Sequence, residues 1–325
     1  MAIDTKLQPI RSSDEIIARA VTIAEQGRRK TVAVAAAQDV DVIDAVVQSH
    51  REGFLDGVLI GDESVIRQMS READLDLSGL EIVDVADVKN AAHMAARFAS
   101  EGKADAIMKG FLPTSALLKV VLDKAYDLRV RTTLSHCAVL DIPGYHKLLS
   151  FTDGGMVIRP NGAQKLEILE NAMLVGRALG LSPIKVAVSG ARAHASEEMP
   201  HTLADTETLI PAAREKFDDI AIQGPLPFDL ATDKASAERS GLNGPVIADA
   251  DIFLVDSIEE CNLIAKSLIQ FAQAVFAGVI VGARVPVSLV SRTDTTKNKK
   301  ASLAIACVLA DYYQQNRVWD EGTKS

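Results

Sequence analysis

Cysteine is scarce in this 325-residue chain: Cys137, Cys261 and Cys307 lie far apart, with no CxxC pair and no metal-ligand spacing. That excludes a disulfide scaffold, argues against a structural zinc site and suits a reducing cytosol. Excess positive charge is missing too. Thirty-five Lys and Arg stand against 44 Asp and Glu, a formal net charge of −9. Such a surface repels polyanions like duplex nucleic acid, though it leaves room for a local basic pocket. Residues Met1–Lys6 lack the basic-then-apolar pattern of a signal peptide. The longest uncharged stretch, 267–283, contains Gln270, Gln273 and Gly278, and it falls short of the roughly 20 apolar residues of a spanning helix. It reads as a buried helix running into a buried strand, and the protein as soluble and cytoplasmic. Repeats and low-complexity linkers are absent, and an apolar share of 48% with 24% charged residues excludes disorder. The length suggests about two domains.

Short apolar runs alternate with longer segments of helical period. Strands are expected at 31–37, 54–61, 81–85, 104–110, 134–140, 147–153, 184–190, 220–225, 252–256, 278–282 and 287–291. Several (VAVAAA, GVLIG, AIMKG, KVAVSG, GVIVGA) are apolar throughout, the mark of a parallel sheet buried on both faces. Between them, 14–26, 40–52, 63–73 and 88–101 carry an apolar stripe opposite a charged face. Asp39, Asp62, Asp87 and Ser257 are placed to cap helices. Pro113 sits where a first helical turn would start, and the helix at 164–179 stops at Gly180. This alternation predicts an α/β fold with right-handed crossovers. The stretch 141–162, rich in Gly and Pro, reads as a crossing to a second domain. A C-terminal helix at 299–315 has an apolar face, including Leu303, Ile305 and Leu309, that needs a sheet to cover.

Familiar cofactor and hydrolase signatures are missing. The chain has no GxGxxG after its first strand, no GxxxxGK loop, no HExxH and no GxSxG elbow. Its six histidines show no ligand spacing. His50 and His93 fall on predicted helices, where packing or surface roles are expected; His136, inside an apolar strand, is either a satisfied buried histidine or a site group. Two segments place anion-binding groups at strand ends. In Met108-Lys109-Gly110-Phe111-Leu112-Pro113-Thr114-Ser115, a strand turns into a helix whose first N–H groups and two hydroxyls suit an anion, or simply cap it. In the second, the strand 287–291 ends in Ser291, Arg292 and Asp294. Parallel sheets bind ligands beyond their carboxyl ends, and a guanidinium fork suits phosphate; a structural salt bridge is the alternative.

Together these and other pieces resemble the phosphotransacylase family, the phosphate acetyl- and butyryltransferases, and the butyryl branch most closely. The pieces are ADAIMKGFLPTSALLKVVL, TLSHCAVLDIPGYHKLLSFTDGGM, QKLEILENAMLVGRALG, QGPLPFDLA, GPVIADADIFLVDSIEECNLIAKSL and AGVIVGARVPVSLVSRTD, in order over about two-thirds of the chain. The resemblance implies a reaction that interconverts acyl-CoA plus inorganic phosphate with acyl phosphate plus CoA, with no redox cofactor and no obligatory metal. It further implies two α/β domains with mainly parallel sheets around a cleft, similar to isocitrate dehydrogenase, and a homodimer. The C-terminal segment would return to the first domain, giving 1–138 with 277–325, and 139–276.

By the same resemblance, Ser291 and Arg292 would bind the phosphoryl group and the charge developing on the acyl carbonyl, with Thr114 and Ser115 on phosphate. The acetyl branch has a catalytic aspartate six residues after that arginine, where this chain has Asn298. Asp294 is the nearest alternative base, or the thiol is activated differently. Asn262 and Lys266 match a recurring Asn-x-x-x-Lys pattern, as a CoA contact or only a helix cap, with Cys261 in place of the usual glycine. The expected mechanism is direct attack of a CoA thiolate on acyl phosphate in a ternary complex; a covalent route through Cys137 is the rival. An NAD-dependent hydroxyacid dehydrogenase of similar fold, or a non-catalytic acyl-CoA or phosphate binder, would be the alternatives. Acetyl, butyryl and branched acyl groups all remain open.

Overall fold

The computed structural model describes residues 8–319; Met1–Lys6, read above for a targeting signal, lie outside the described residues. The strands are β1 (Lys30–Ala35), β2 (Leu55–Gly61), β3 (Glu81–Asp84), β4 (Ala106–Lys109), β5 (Ser135–Asp141), β6 (Leu149–Thr152), β7 (Ile184–Ser189), β8 (Ile220–Leu226), β9 (Ile252–Leu254), β10 (Val275–Val281) and β11 (Val287–Ser288). The helices are α1 (Ser13–Ile23), α2 (Val40–Arg51), α3 (Glu63–Glu72), α4 (Val88–Ser100), α5 (Thr114–Val121), α6 (Gly162–Ala178), α7 (Pro200–Ala204), α8 (Ile210–Lys216), α9 (Phe228–Thr232), α10 (Lys234–Ser240), α11 (Ile258–Ala272) and α12 (Thr296–Gln315). The chain forms two compact units, one of 13–132 with 275–319 and one of 8–12 with 133–274. Both are α/β, with mainly parallel strands.

In the first unit the strand order is β3-β2-β1-β4-β11-β10, parallel except where β10 meets β11. Val32, Val34, Leu59, Ile60 and Ile107 are fully buried, as continuous apolar strands covered on both faces must be. Asp39, Asp62 and Asp87 accept hydrogen bonds from the N–H groups of Val42, Val65 and Asn90, fixing where α2, α3 and α4 begin; each such cap contributes about 1 kcal/mol. The apolar C-terminal helix finds its cover in this unit: α12 packs on β10, α1 and α2, with Leu303, Ile305 and Leu309 buried.

In the second unit the order is β5-β6-β9-β7-β8, with only the β5–β6 pair antiparallel. Ile168, Leu169 and Met173 of α6 bury against Ile184, Val186 and Leu254. The helix ends at Gly180, whose φ of 78° only glycine adopts freely. Ser257 caps α11 through the Glu260 N–H.

Three expectations change. The stretch 141–162 lies inside this second unit, and the chain passes between units at 12–13, 132–133 and 274–275. The supposed strand 287–291 stops at Ser288; residues beyond it form a turn. The supposed buried helix within 267–283 is not buried: in α11 Leu263 is 71% and Phe271 84% exposed, while only Cys261 and Ala265 are buried. Apolar residues run round most of α11, so one stripe packs inward and another faces out; β10, which follows, is buried from Phe276 onward. Among the described residues no helix is long and apolar enough to cross a membrane.

Candidate active site

Strand β11 runs parallel to β4, with Val287 opposite Ile107 and Ser288 opposite Met108. The segments that leave these strands therefore emerge at the same sheet edge. From β4 the chain turns through Gly110 into α5. Gly110 and Phe111 donate their N–H groups to the carbonyls of Ala35 (2.9 Å) and Ala36 (2.6 Å). A Cβ at residue 110 would lie 2.1 Å from the Ala36 oxygen, so the close approach requires glycine. Helix α5 starts after Pro113 with no side-chain cap. The N–H groups and hydroxyls of Thr114 and Ser115 have no partner among the described residues. Free donors at a helix N-terminus favour an anion.

From β11 the chain enters a turn built by Asp294. Its carboxylate accepts the Ser291 N–H (2.6 Å) and the Asn298 amide (3.2 Å). Asn298 is buried and in turn accepts the Phe276 N–H of β10 (3.1 Å). Lys299, also buried, donates to the Asp294 carbonyl (2.5 Å). The turn thus presents Ser291 and Arg292 to solvent, with the Ser291 hydroxyl 3.2 Å from that of Thr293. The Arg292 guanidinium lies over the Phe111 ring, 4.7 Å from its centroid, which brings the late cation to the turn that leads into Thr114 and Ser115.

One cation escaped the sequence reading. Lys109 ends β4 and is 5% exposed; among the described residues its ammonium reaches only the carbonyls of Gly110 (3.3 Å) and Leu112 (3.4 Å). Burial, with Arg292 and Lys299 nearby, draws its pKa below the usual lysine value against the opposing pull of Asp39 and Asp294. A charged residue in an otherwise apolar strand was the available signal. No carboxylate stands within ion-pair distance of Lys109 or Arg292 among the described residues.

Asn262, Lys266 and Cys137 lie in the second unit. The Asn262 amide donates to the carbonyls of Gly154 (3.1 Å) and Ile258 (2.9 Å). Those bonds tie α11 to the loop whose N–H groups at 155, 156 and 157 the buried Asp153 carboxylate accepts. Lys266 is exposed. Cys137 is buried and its thiol is pushed up to about 12 by desolvation, far from a thiolate nucleophile. In the first unit His50 approaches Asp56 (3.5 Å), and His93 meets the Tyr126 hydroxyl (2.8 Å). No group of three or more His, Cys, Asp or Glu among the described residues is arranged to hold a metal.

A mainly parallel α/β fold with cationic and hydroxyl groups gathered at strand ends is an arrangement suited to binding anions. The family model described as Phosphate acetyl/butaryl transferase matches residues 14–99 and 85–307. The chain is 35% identical over 301 residues to the phosphate butyryltransferase of Clostridium acetobutylicum, covering 93% of this chain and 99% of that one. It is 34% identical to the phosphate acetyltransferase of Thermotoga maritima, over 88% of this chain and 97% of that one. Among solved structures, a branched-chain phosphotransacylase from Enterococcus faecalis superposes with a TM-score of 0.77 at 30% identity, over 86% of this chain and 99% of that one. A 4-hydroxythreonine-4-phosphate dehydrogenase from Burkholderia phymatum shares the fold at 14% identity, with a TM-score of 0.53 and coverage of 87% and 98%. The chain belongs to the phosphate acetyl- and butyryltransferase family, an enzyme family of phosphate acyltransferases.

Proposed function

We propose that the enzyme interconverts a short-chain acyl-CoA plus inorganic phosphate with acyl phosphate plus CoA, by direct transfer in a ternary complex. The CoA thiolate attacks the carbonyl carbon of the acyl phosphate; a C–S bond forms, the bond from that carbon to the bridging oxygen breaks, and phosphate leaves with the bridging oxygen. In reverse, a phosphate oxygen attacks the thioester and the thiolate departs. The observation that carries this reading is Arg292 stacked on Phe111 at the turn before Thr114 and Ser115. A guanidinium there pairs with a tetrahedral oxyanion, and the stabilisation is greatest where water is excluded. Ser291 and the hydroxyls of Thr114 and Ser115 add donors.

Asn298 in place of an aspartate is occupied by protein contacts, so Asp294 is the carboxylate proposed to accept the thiol proton. Each of its oxygens already holds one donor, leaving a further lone pair on each. Asn262 and Lys266 are the proposed CoA contacts, with Lys266 the freer of the two. The reading requires no redox cofactor and no metal. The exposed Leu263 and Phe271 of α11 favour a homodimer. Three free, buried cysteines accord with a cytoplasmic enzyme.

Initial rates of thiol release from acetyl-, propionyl-, butyryl- and isobutyryl-CoA, with phosphate varied, test the reading. Phosphate-dependent release with a short-chain optimum is expected. No release with any of them, or an NAD-dependent absorbance change with hydroxyacids instead, would overturn it.

A further inference from the structure

We propose that Lys109 is a phosphate-binding residue, its buried ammonium supplying the fixed charge against which the substrate's phosphoryl group docks. The inference rests on the acyl-transfer reading and adds a residue to its anion site. Strand β4 is otherwise Ala106, Ile107 and Met108, all buried, and an ammonium there is costly unless a counter-charge meets it. The protein provides none directly. Two carbonyls at 3.3 and 3.4 Å are long for hydrogen bonds, and the third N–H has no partner among the described residues. Neither nearby carboxylate pairs with it: Asp39 caps α2 through the Val42 N–H, and Asp294 accepts the Ser291 N–H and the Asn298 amide. Both carbonyls that Lys109 touches belong to the turn entering α5, next to the open N–H groups of Thr114 and Ser115. A dianion seated on those groups and on Arg292 would complete the missing pairing.

A structural lysine and a ligand-binding one respond oppositely to removal of the charge. Lys109→Met keeps the length and apolar stem while deleting the unpaired ammonium. If Lys109 serves the ligand, this variant melts at the same temperature as the wild type or higher. Its KM for inorganic phosphate rises about tenfold or more, the loss of one charge-assisted contact, while its KM for acyl-CoA stays within about twofold. In the wild type, phosphate KM also rises toward alkaline pH as the ammonium deprotonates among Arg292, Lys299, Asp39 and Asp294; Lys109→Met lacks that limb, and Lys109→Arg, always charged, flattens it. A folded Lys109→Met enzyme with unchanged phosphate KM overturns the proposal. Should that variant not fold, an unchanged phosphate KM and pH profile in Lys109→Arg overturns it equally. Wild-type protein without phosphate-dependent thiol release overturns the acyl-transfer reading instead, and calorimetric titration of both proteins with inorganic phosphate still decides whether Lys109 binds the anion.

Discussion

Replacing Arg292 by alanine separates catalysis from folding, because the side chain is exposed and its contact in the fold is the Phe111 ring at 4.7 Å. An exposed cation–π contact contributes about 0.5–1 kcal/mol. In a chain of this size that lowers the melting temperature by roughly 2–4 °C at most. Removing a donor that meets developing negative charge costs on the order of 3 kcal/mol of transition-state stabilisation. At about 1.4 kcal/mol per decade this is roughly a hundredfold or more in kcat/KM. The assay is phosphate-dependent thiol release from butyryl-CoA, with a thermal melt on the same preparation. Arg292→Lys keeps the charge but loses the planar fork and its stacking, so only part of the rate returns. A folded Arg292→Ala enzyme with kcat/KM within about threefold of wild type would remove the guanidinium from the mechanism.

Asn298→Asp places a buried carboxylate against Asp294 and deletes the donated bond; urea unfolding is expected to show a loss of about 1–3 kcal/mol, and a more active, equally stable variant would contradict the structural role given to Asn298. Two 2.7 Å hydrogen bonds from Arg177 hold the Asp219 carboxyl below the usual range. Its stabilisation is therefore present above the unfolded pKa near ~3.9 and fades as pH falls through the lower folded value. Arg177→Met should cost about 1 kcal/mol at pH 7, a partly exposed pair being screened by solvent, and the gap to wild type should close below about pH 4; an equal gap at pH 7 and pH 3 refutes the linkage. Leu263→Asp combined with Phe271→Asp is expected to yield a monomer by sedimentation if α11 carries the homodimer contact, and an unchanged sedimentation coefficient would exclude that face.

Elements whose cause is local were readable from residues alone. Every expected strand has a counterpart; most are buried on both faces and leave apolar runs without alternation, as in KTVAVA of β1 and VFAGVIV of β10. Asp39, Asp62, Asp87 and Ser257 cap the helices they precede, because a short acceptor ahead of an amphipathic run has few better uses. What depends on tertiary placement was not readable. The exposed stripe of α11 is as apolar as a core helix, and only packing distinguishes them. Asn298 looked like a lost catalytic group, yet it joins Asp294 to β10 through bonds 4 and 22 residues distant in sequence. Lys109 was hidden inside a strand pattern, because burial without a counter-ion is not encoded in spacing.

The central claim is that the ends of β4 and β11 form one oxyanion site. A crystal of the protein grown with inorganic phosphate tests it most directly. The anion is expected within hydrogen-bond reach of the Arg292 guanidinium and of the N–H and hydroxyl groups of Thr114 and Ser115. Phosphate bound elsewhere, with Arg292 and both hydroxyls free of it, would contradict the account.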